Sequence, residues 1–368
     1  MDGSDRAKYL FLSLLQARVG SSLVSRLGNL APDAVLKTPL DELSERAKLS
    51  EKVARAFDEL QRGFDPDALE DRLAAKGIEA VTLVDHGYPR SLRSIPDSPP
   101  ALFVDGNLPE ADSVALVGSR KATATGIEAA RALGMALSER GVCVVSGLAL
   151  GVDAAAHEGA VGAGGPTVGV LGCGIDVVYP RCNRGLFQSV RRQGALVSEY
   201  FLGEAPLAWH FPARNRIIAG LVGTVVVVEA PVHSGALITA RHALDAGRDV
   251  WAVPGPPGVS ECRGSNGLLA DGAGVLWDIP EFVGAIVPAS EVPEVGGISD
   301  GIPPPPASLP ETEAAVLSGV GLEPRGVDVV ARRCGVELRE ALAALAMLEL
   351  KGFISRDGVG AYIRRAVP

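Results

Sequence analysis

The sequence predicts an α/β protein whose core is a Rossmann-like, doubly wound parallel sheet, preceded by a helical domain and followed by a winged helix. Two observations predict the core. Apolar runs alternate with helical patterns over residues 113–286, and alternating strands and helices build parallel sheets that are covered on both faces. Glycine-rich turns also follow the apolar runs, as is typical where a strand leads into a helix. The expected strands lie at residues 114–117, 142–145, 167–171, 195–198, 224–228 and 250–253, with helices such as 126–139 and 235–246 between them.

The residues before the core predict a small helical domain and a connector. Over residues 1–65, apolar patterns indicate four short helices in a bundle similar to helix-hairpin-helix or sterile-alpha-motif modules. These helices are expected at residues 9–17, 19–27, 39–47 and 51–60, the last with Ser50 as its N-cap. Residues 66–112 are expected to form a connector that ends in a short strand at Ala101–Val104.

The residues after the core predict a linker and a winged helix. Residues 287–310 include the consecutive prolines Pro303–Pro306 and should therefore form a semi-rigid linker. Residues 311–368 then show helical patterns at 311–317, 327–333 and 337–350, followed by two short apolar runs around a typical hairpin turn, Asp357-Gly358. The third helix carries more glutamate than arginine, whereas a helix that reads a DNA groove should be basic. This composition favours a protein-interaction or regulatory role for the domain.

The length and charge of the chain allow several domains and a local basic groove. A single core stops growing near roughly 250–300 residues, so 368 residues should hold two or three domains. The formal net charge of −9 opposes binding to a polyanion, but it divides into −5 for residues 1–112, −1 for 113–283 and −3 for 284–368. A basic groove in the nearly neutral middle is therefore compatible with an acidic protein.

The cysteines and the apolar runs predict the compartment. The five cysteines form no Cys-x-x-Cys pair, which favours reduced thiols. The apolar runs are all shorter than the ~18 residues that a membrane span needs, and the N-terminal run lacks a cleavage site. We therefore expect a cytoplasmic protein.

Arginines follow several of the predicted strands. Arg120 comes directly after the first strand, and Arg181 follows the third. Arg214 and Arg216 come after the fourth. Because loops at the carboxyl ends of parallel strands converge on one crevice, these side chains should meet there. Guanidinium groups above glycine-rich turns suit phosphate, and repeated arginines indicate a chain of phosphates, as in nucleic acid. The predicted nucleic-acid-binding residues are Gly118, Ser119, Arg120, Lys121, Arg181, Asn183, Arg184, Arg214, Asn215, Arg216 and Gly235.

Aromatic residues concentrate in the same part of the chain. Residues 179–211 contain six of the 17 aromatic residues (3 Trp, 5 Tyr and 9 Phe), whereas residues 104–178 contain none. Aromatics interleaved with arginines suit single strands, in which bases stack on rings and phosphates pair with cations. The strand-to-helix turns lack both the Gly-x-Gly-x-x-Gly fingerprint and the P-loop, so NAD and ATP are not supported and no cofactor is expected.

Asp153 and His157 lie four residues apart and would share one face of a helix. They could form an acid/base pair. Alternatively, Asp153 orients the turn before it and His157 is an ordinary helix residue. The residues around them include no evident nucleophile, and this favours the structural alternative.

Nine short segments of the predicted core carry a family resemblance. They are Val117–Arg120, Val145–Ala149, Gly151–His157, Tyr179–Pro180, Ser198–Tyr200, Phe211–Leu221, Val228–Ala230, Ser234–Ala240 and Val253–Gly255. These segments resemble the DprA family, also called Smf, the DNA-processing proteins of bacteria. The helical and winged-helix domains fit the three-part arrangement of some members.

The resemblance implies a protein without catalytic activity that binds single-stranded DNA, protects incoming DNA in natural transformation and loads the recombinase RecA. It assigns phosphate contacts to Arg120 and to Arg181, where many members carry lysine. Arginine keeps the charge at that position but alters the geometry. The resemblance also implies a homodimer that pairs through the end of the core, here Gly264–Leu276. Candidate contacts there are Asn266, Leu269 and Val275.

Two other functions compete with this interpretation. Gly220–Glu229 faintly resembles the glycine-rich motif of lysine-decarboxylase-like, nucleotide-processing enzymes, in which Glu229 would be the catalytic carboxylate. The paired glycines and the acid cluster of that motif are missing here. A pure protein adaptor that uses the winged helix is the other alternative, but an adaptor would not need Arg120 and Arg181.

Overall fold

The computed structural model describes residues 3–20, 27, 32–38, 49–286, 309–320, 326–351, 353–356 and 362–364. The chain divides into two units, Met1–Glu291 and Val292–Pro368, and each has its own apolar core. Several predicted features lie outside the described residues. They are the helix at 39–47, most of the helix at 19–27, the linker up to residue 308 and the Asp357-Gly358 turn.

A nine-stranded sheet forms the centre of the first unit, in the order β1-β2-β6-β5-β4-β3-β7-β8-β9. Its strands are β1 Ile78–Thr82, β2 Ala101–Gly106, β3 Ser113–Val117, β4 Cys143–Ser146, β5 Thr167–Val170, β6 Ala195–Ser198, β7 Thr224–Val227, β8 Asp249–Ala252 and β9 Gly274–Val275. Strands β3 to β9 run parallel to one another. The six predicted core strands, which correspond to β3 through β8, are confirmed to within one residue at either end.

Alternate residues of the core strands pack against helices on opposite faces of the sheet. The helices of this region are α6 Ala124–Glu139, α7 Val152–Gly162, α8 Arg184–Gln193, α9 His210–Leu221, α10 Gly235–Asp245, α11 Arg263–Ala270 and α12 Ile279–Ile286. Ala115 and Val117 of β3 share a core cluster with α9 and α10. Val114 and Leu116 of the same strand share another with α6, α7 and α12. Because both faces are covered, the prediction of a doubly wound sheet is confirmed.

Residues 66–112 extend the sheet as well as leading into it. They form helix α4 Pro66–Ala74, strand β1, the short helix α5 Arg90–Arg93 and strand β2. Strand β2 contains the predicted Ala101–Val104 strand and runs antiparallel to β6, with Phe103 opposite Ser198. Strand β1 continues the antiparallel edge, so the sheet is mixed. The sequence did not indicate this pairing, because β2 meets a partner that lies far along the chain.

Helices α1 Gly3–Val19, α2 Pro32–Leu36 and α3 Glu51–Gly63 precede this region. The predicted helices at 9–17 and 51–60 are confirmed within α1 and α3. Ser50 occupies the N-cap position of α3, although its side chain makes no capping hydrogen bond. Phe11 of α1 and Phe57 of α3 pack edge to face, with ring centroids 5.0 Å apart.

The second unit is a winged helix, as predicted. Its elements are α13 Glu311–Gly319, α14 Val327–Cys334, α15 Leu338–Leu350, β10 Ile354–Arg356 and β11 Tyr362–Arg364. The two strands pair antiparallel, with Ser355 opposite Ile363. Leu345 and Leu348 of α15 pack with Val316 of α13 and with Ile354 in the core of the unit.

Candidate nucleic-acid interface

A cavity of about 480 Å³ opens at the carboxyl ends of the parallel strands. Strand β3 has β4 on one side and β7 on the other, so the chain reverses its direction of strand addition between β3 and β7. Ligands of open α/β sheets bind at such a switch point. Loops that follow β3, β4, β6, β7 and β8 line the cavity. Seven of the eleven predicted binding residues are among its lining: Gly118, Ser119, Arg120, Lys121, Arg214, Asn215 and Gly235.

The turn after β3 is fixed by its neighbours and presents two cations. The Ser119 amide donates to the Glu229 carbonyl over 2.7 Å, and the Ser119 carbonyl accepts from the Val152 amide over 3.2 Å. Ser119 Oγ accepts a further bond of 3.1 Å from the Lys121 amide. Arg120 and Lys121 are exposed. The backbone of this turn is thus held from both sides while its positive side chains face the solvent.

The turn can sit against helix α7 only because residue 151 is glycine. Gly151 has a φ of +78°, and a Cβ atom built there would lie 2.2 Å from the Ser119 carbonyl oxygen. Any larger residue would therefore be strained and would also displace the turn that carries Arg120.

Phe211 joins the loops that carry the exposed arginines. The Arg120 guanidinium lies over the Phe211 ring, 5.3 Å from its centroid. The ring of Tyr179, two residues before Arg181, lies 5.4 Å from Phe211. Phe211 is the second residue of α9 and lines the cavity. An arginine on an aromatic face is held in place and keeps its N–H groups available at the edge of its plane.

Arg214 forms the floor of the cavity. It is 3% exposed, and its Nη1 donates to the Gly147 carbonyl over 2.8 Å and to the Val170 carbonyl. These two carbonyls belong to the ends of neighbouring strands, so Arg214 ties β4 to β5. Gly147 permits the approach, because a Cβ atom there would lie 2.5 Å from the guanidinium. Arg214 therefore places positive charge beneath the cavity without being free to move.

Asp153 lies beside Arg214 in the floor and is also buried. Its Oδ2 accepts a hydrogen bond of 3.2 Å from the Gly147 amide. Burial raises the pKa of Asp153, although the charges of Arg214 and Arg120 act in the opposite direction. Burial lowers the pKa of Arg214, against the attraction of Asp153. The hydrogen bond confirms that Asp153 orients the turn before α7.

His157 is a core residue. It is fully buried, and its Nδ1 lies within hydrogen-bonding distance of Thr167 Oγ1, at 2.8 Å. Burial lowers the pKa of His157 to about 3, so the ring is neutral near pH 7. Its burial and its bond to Thr167 agree with the structural alternative for the Asp153–His157 pair.

The loop after β5 lies outside the cavity lining but is tied to it. Asn183 Nδ2 donates to the carbonyl of Leu148 over 3.0 Å and to that of Ala149, which lines the cavity, over 3.4 Å. The Asn183 side chain therefore positions the loop, and we assign it no phosphate contact. Arg181 and Arg184, on either side of it, are exposed.

The structure turns Arg216 away from the cavity. Arg216 is 6% exposed, and its Nη1 and Nη2 donate to the two carboxylate oxygens of Glu199 over 2.9 and 2.7 Å. The Asp97 carboxylate lies 3.3 Å from its Nε. Glu199 also accepts a 2.8 Å bond from Gln16 Nε2, which attaches helix α1 to the core. Grouping Arg216 with the phosphate-binding residues was therefore wrong, because its charge is already neutralised inside the protein.

Asn215 and Gly235 form a bond with each other at the edge of the cavity. Asn215 Nδ2 donates to the Gly235 carbonyl over 3.1 Å, which links α9 to the first residue of α10. The side-chain amide of Asn215 is thus used in holding two helices together, while the remaining surface of both residues lines the cavity.

Glu229, the candidate catalytic carboxylate of the enzyme alternative, holds Thr123, the N-cap residue of α6. Its Oε1 accepts from the Thr123 amide over 2.9 Å, and its Oε2 accepts from Thr123 Oγ1 over 2.6 Å. It is 3% exposed at the N-terminus of α6, where a negative charge is stabilising. Both oxygens are engaged in structural bonds.

Several lining residues were not predicted from the sequence. Ser234 lies in the loop after β7, Thr239 lies in helix α10, and Glu261 lies in a 3-10 turn after β8. Ser234 belongs to one of the segments that carry the family resemblance. Serine is common at helix N-caps, which is the position it occupies in α10, so the residue type alone did not indicate a place at the cavity. Glu261 accepts a 2.7 Å bond from Ser260 Oγ, and this bond lowers the pKa of its carboxyl group. It therefore brings a negative charge to a cavity that is also lined by Arg120, Lys121 and Arg214.

The three predicted dimer contacts differ in their surroundings. Asn266 bonds both the amide and the carbonyl of Gly255 at 3.0 Å, so its side chain holds the loop after β8. Leu269 packs against the core. Val275 lies on the edge strand β9 and is 48% exposed. Only Val275 therefore offers an exposed side chain to a partner.

The described residues contain no group of His, Cys, Asp and Glu side chains that could hold a metal ion. Among the helices in these ranges, none is long and apolar enough to cross a membrane. The five cysteines are all free thiols.

Comparisons with known proteins agree with this architecture. The model of the DNA recombination-mediator protein A family matches residues 79–286, and that of the DprA winged helix domain matches residues 302–358. The chain is 33% identical to Protein Smf of Synechocystis over 99% of its own length and 100% of that protein. It is 40% identical to Protein Smf of Escherichia coli over 75% of each chain.

Two solved structures are also similar. DNA processing protein A from Streptococcus pneumoniae aligns with a TM-score of 0.65 and 33% identity, over 75% of this chain and 96% of that one. The protein of that name from Helicobacter pylori, solved for its single-stranded DNA binding mode, aligns with a TM-score of 0.52 and 29% identity, over 56% and 95% of the two chains. The family model covers more than half of the chain and a relative matches nearly all of it, so this protein belongs to the DNA recombination-mediator protein A family, the DprA/Smf family of DNA-processing proteins.

Proposed function

We propose that this protein binds single-stranded DNA at the cavity between β3 and β7, protects incoming DNA and loads RecA in natural transformation. One observation carries the proposal of DNA binding. Arg120 and Lys121 are exposed at the cavity, Arg181 and Arg184 are exposed in a loop tied to it, and among the described residues no carboxylate forms a salt bridge with any of the four. Unpaired cations at the mouth of a groove are available for phosphates.

The surroundings of these cations favour a single strand over a duplex. Phe211 contacts both the Arg120 guanidinium and the ring of Tyr179, which lies in the loop that carries Arg181. Aromatic rings bind bases only when the base faces are open. A relative whose structure was solved for its mode of binding single-stranded DNA shares the fold, and this likeness supports the same ligand here.

A role without catalysis is part of the proposal. The carboxylate of Glu229 holds the N-cap residue of α6, Asp153 orients a turn and His157 is buried in the core. The acidic groups that an enzyme of the nucleotide-processing type would use are therefore engaged in structural bonds. The family membership supports RecA as the partner and the cytoplasm as the site of action.

The homodimer remains part of this proposal. We propose that its interface is formed by Gly264–Leu276, a range that includes the edge strand β9. The exposed Val275 supports this placement, since an uncovered edge strand is a common pairing site. The internal bonds of Asn266 indicate that it shapes this surface rather than contacting the partner.

Binding to labelled oligonucleotides tests the proposed function. The wild-type protein is titrated with a single strand and with its duplex, and nucleotide hydrolysis is measured in parallel. We expect tighter binding of the single strand and no nucleotide turnover. Equal affinity for the two DNA forms would contradict the proposal, and turnover would favour the enzyme alternative.

The winged helix has a second candidate role, in contacting protein. Helix α15 exposes three leucines, Leu338 (51%), Leu342 (42%) and Leu350 (82%). Two glutamates, Glu337 and Glu340, lie beside the first of them. An apolar and acidic helix is suited to a protein surface and is repelled by phosphates. The double substitution Leu338→Ser/Leu342→Ser should therefore leave affinity for DNA unchanged. A fall in that affinity would show that α15 contacts DNA.

A further inference from the structure

Exposed aromatic and apolar side chains lie in loops at the carboxyl ends of the strands. In the part of the chain that the structure describes, the exposed aromatic residues are Tyr179 (41%), Trp209 (45%) and Trp277 (69%). The first two follow the neighbouring strands β5 and β6, whereas Trp277 follows β9, the edge strand on the other side of the sheet. Leu150 and Leu207, 45 and 40% exposed, lie in the loops after β4 and β6. Large apolar side chains that share one surface mark a binding site more often than single ones do.

The two aromatic rings near the cavity are held from behind by other rings. Tyr179 packs against Phe211 with centroids 5.4 Å apart, and Phe211 in turn lies under Arg120. Trp209 contacts the His210 ring edge-on at 4.1 Å, and His210 stacks on the buried Tyr200 at 3.8 Å. Each exposed ring therefore has a fixed orientation. A rigid ring gives up little conformational entropy when a flat ligand stacks on it.

Helix stability does not account for a tryptophan at position 209. Trp209 is the N-cap residue of α9, and its side chain makes no capping hydrogen bond. Ser, Thr, Asp and Asn are preferred at this position because their side chains bond the free amides of the first turn. Core packing does not require it either, since almost half of the side chain is in contact with solvent.

We infer that Tyr179 and Trp209, here called the aromatic ledge, stack against unpaired bases and give the protein its selectivity for single strands. This inference rests on the proposed function. Arg181 is two residues from Tyr179, and Arg120 is joined to Tyr179 through Phe211. A base on the ledge and a phosphate on either arginine can therefore come from neighbouring nucleotides of one strand.

The ledge and the arginines have separable effects on binding. The faces of paired bases are covered by their neighbours in a duplex, so only a single strand can use the ledge. Phosphates are present in both DNA forms, so the arginines contribute to binding of either one. Loss of the ledge should thus reduce selectivity, and loss of the arginines should reduce affinity for both forms.

Substitution of Trp209 separates these effects. The full-length proteins Trp209→Ala and Trp209→Phe, with Trp277→Ala as a control for an exposed tryptophan elsewhere, are titrated with an oligothymidine, an abasic strand of equal length and a duplex. We expect Trp209→Ala to bind oligothymidine about tenfold more weakly. Its affinity for the abasic strand and the duplex, and the salt dependence of binding, should be unchanged because no phosphate contact is lost. Trp209→Phe should restore most of the loss, and Trp277→Ala should behave as wild type.

Fluorescence gives a second readout that does not depend on a loss of affinity. Oligothymidine should quench tryptophan emission in the wild type and in Trp277→Phe, but much less in Trp209→Phe, which keeps a ring for stacking. Unchanged affinity of Trp209→Ala for oligothymidine would overturn the inference, as expected if the ledge instead binds protein. An equal loss toward the abasic strand would also overturn it, while failure of the wild type to bind any single strand would overturn the proposed function itself.

Discussion

Arg120 and Arg216 carry the same side chain in opposite surroundings. Arg120 is exposed at the cavity, whereas Arg216 is buried and bonded to both oxygens of Glu199. The sequence grouped them because both follow predicted strands. Only packing distinguishes them, since Glu199 and Asp97 meet Arg216 from different parts of the chain. The contribution of Arg216 should therefore be to stability and that of Arg120 to binding.

Removal of Arg216 should destabilise the protein strongly. The substitution Arg216→Ala leaves the Glu199 carboxylate buried without its partner, which costs about 3–5 kcal/mol of unfolding free energy. Arg120→Ala, at an exposed site, loses only the contact with the Phe211 ring and should change that free energy by less than about 1 kcal/mol. Urea denaturation of both variants measures the difference. Similar stabilities for the two would show that the buried pair is not important for the fold.

Stability should depend on pH through His157. Burial lowers the pKa of His157 to about 3, against roughly 6.5 in an unfolded chain. Between these values the unfolded chain binds a proton that the folded protein does not. The stability contributed by neutral His157 is therefore complete above about pH 6.5 and is lost as the pH falls toward 3. His157→Gln should flatten this decline by up to about 1.4 kcal/mol per pH unit. Urea denaturation at several pH values tests it, and parallel declines in the two proteins would contradict it.

At the scale of elements, the turn after β3 depends on helix α7. The amide of Val152 bonds Ser119, and the backbone of Gly151 lies against Ser119 and Arg120. Gly151, the N-cap residue of α7, thus sets the position of the turn that carries Arg120.

The substitution Gly151→Ala should impair both stability and binding. The new Cβ atom is strained at a φ of +78° and would displace the turn that carries Arg120. Gly141→Ala is the matched control, because Gly141 has a φ of +75° but open space around it. We expect both to destabilise the fold by about 1–3 kcal/mol, and only Gly151→Ala to weaken binding of single-stranded DNA, measured by fluorescence anisotropy. Equal binding by the two variants would show that the turn tolerates displacement.

The core strands could be predicted because parallel strands buried on both faces are continuous apolar runs. Strands β3 and β7, with their Val-rich sequences, are examples. The antiparallel pairing of β2 with β6 could not be predicted, since strand direction depends on contacts between distant segments. The convergence of the loops could also be predicted, because the carboxyl ends of parallel strands lie at the same end of a sheet. Which side chains face outward was not, because Arg214 and Asn183 bond to backbone carbonyls that only the folded chain brings near them.

At the scale of the whole molecule, an acidic chain presents a basic site. The net charge is −9, yet within the described ranges the four exposed cations Arg120, Lys121, Arg181 and Arg184 form no salt bridge with a carboxylate. Electrostatic interactions decay over about 8 Å at physiological ionic strength, so distant acidic residues have little effect on a phosphate bound at the cavity. Local contacts between these cations and phosphates therefore decide the affinity for DNA. The number of such contacts should determine how steeply that affinity falls with salt concentration.

The salt dependence of single-strand binding tests the central claim most directly. The double variant Arg120→Ala/Arg181→Ala is compared with Arg140→Ala/Arg192→Ala. The control removes two exposed arginines that precede β4 and β6, at the amino ends of the parallel strands. Each lost phosphate contact reduces the slope of log K against log salt concentration by about 0.7 for a single strand. We predict a slope shallower by about 1.4 and much weaker binding for the first variant, with the control unchanged. Identical slopes and affinities for the two variants would contradict the assignment of the cavity as the DNA site.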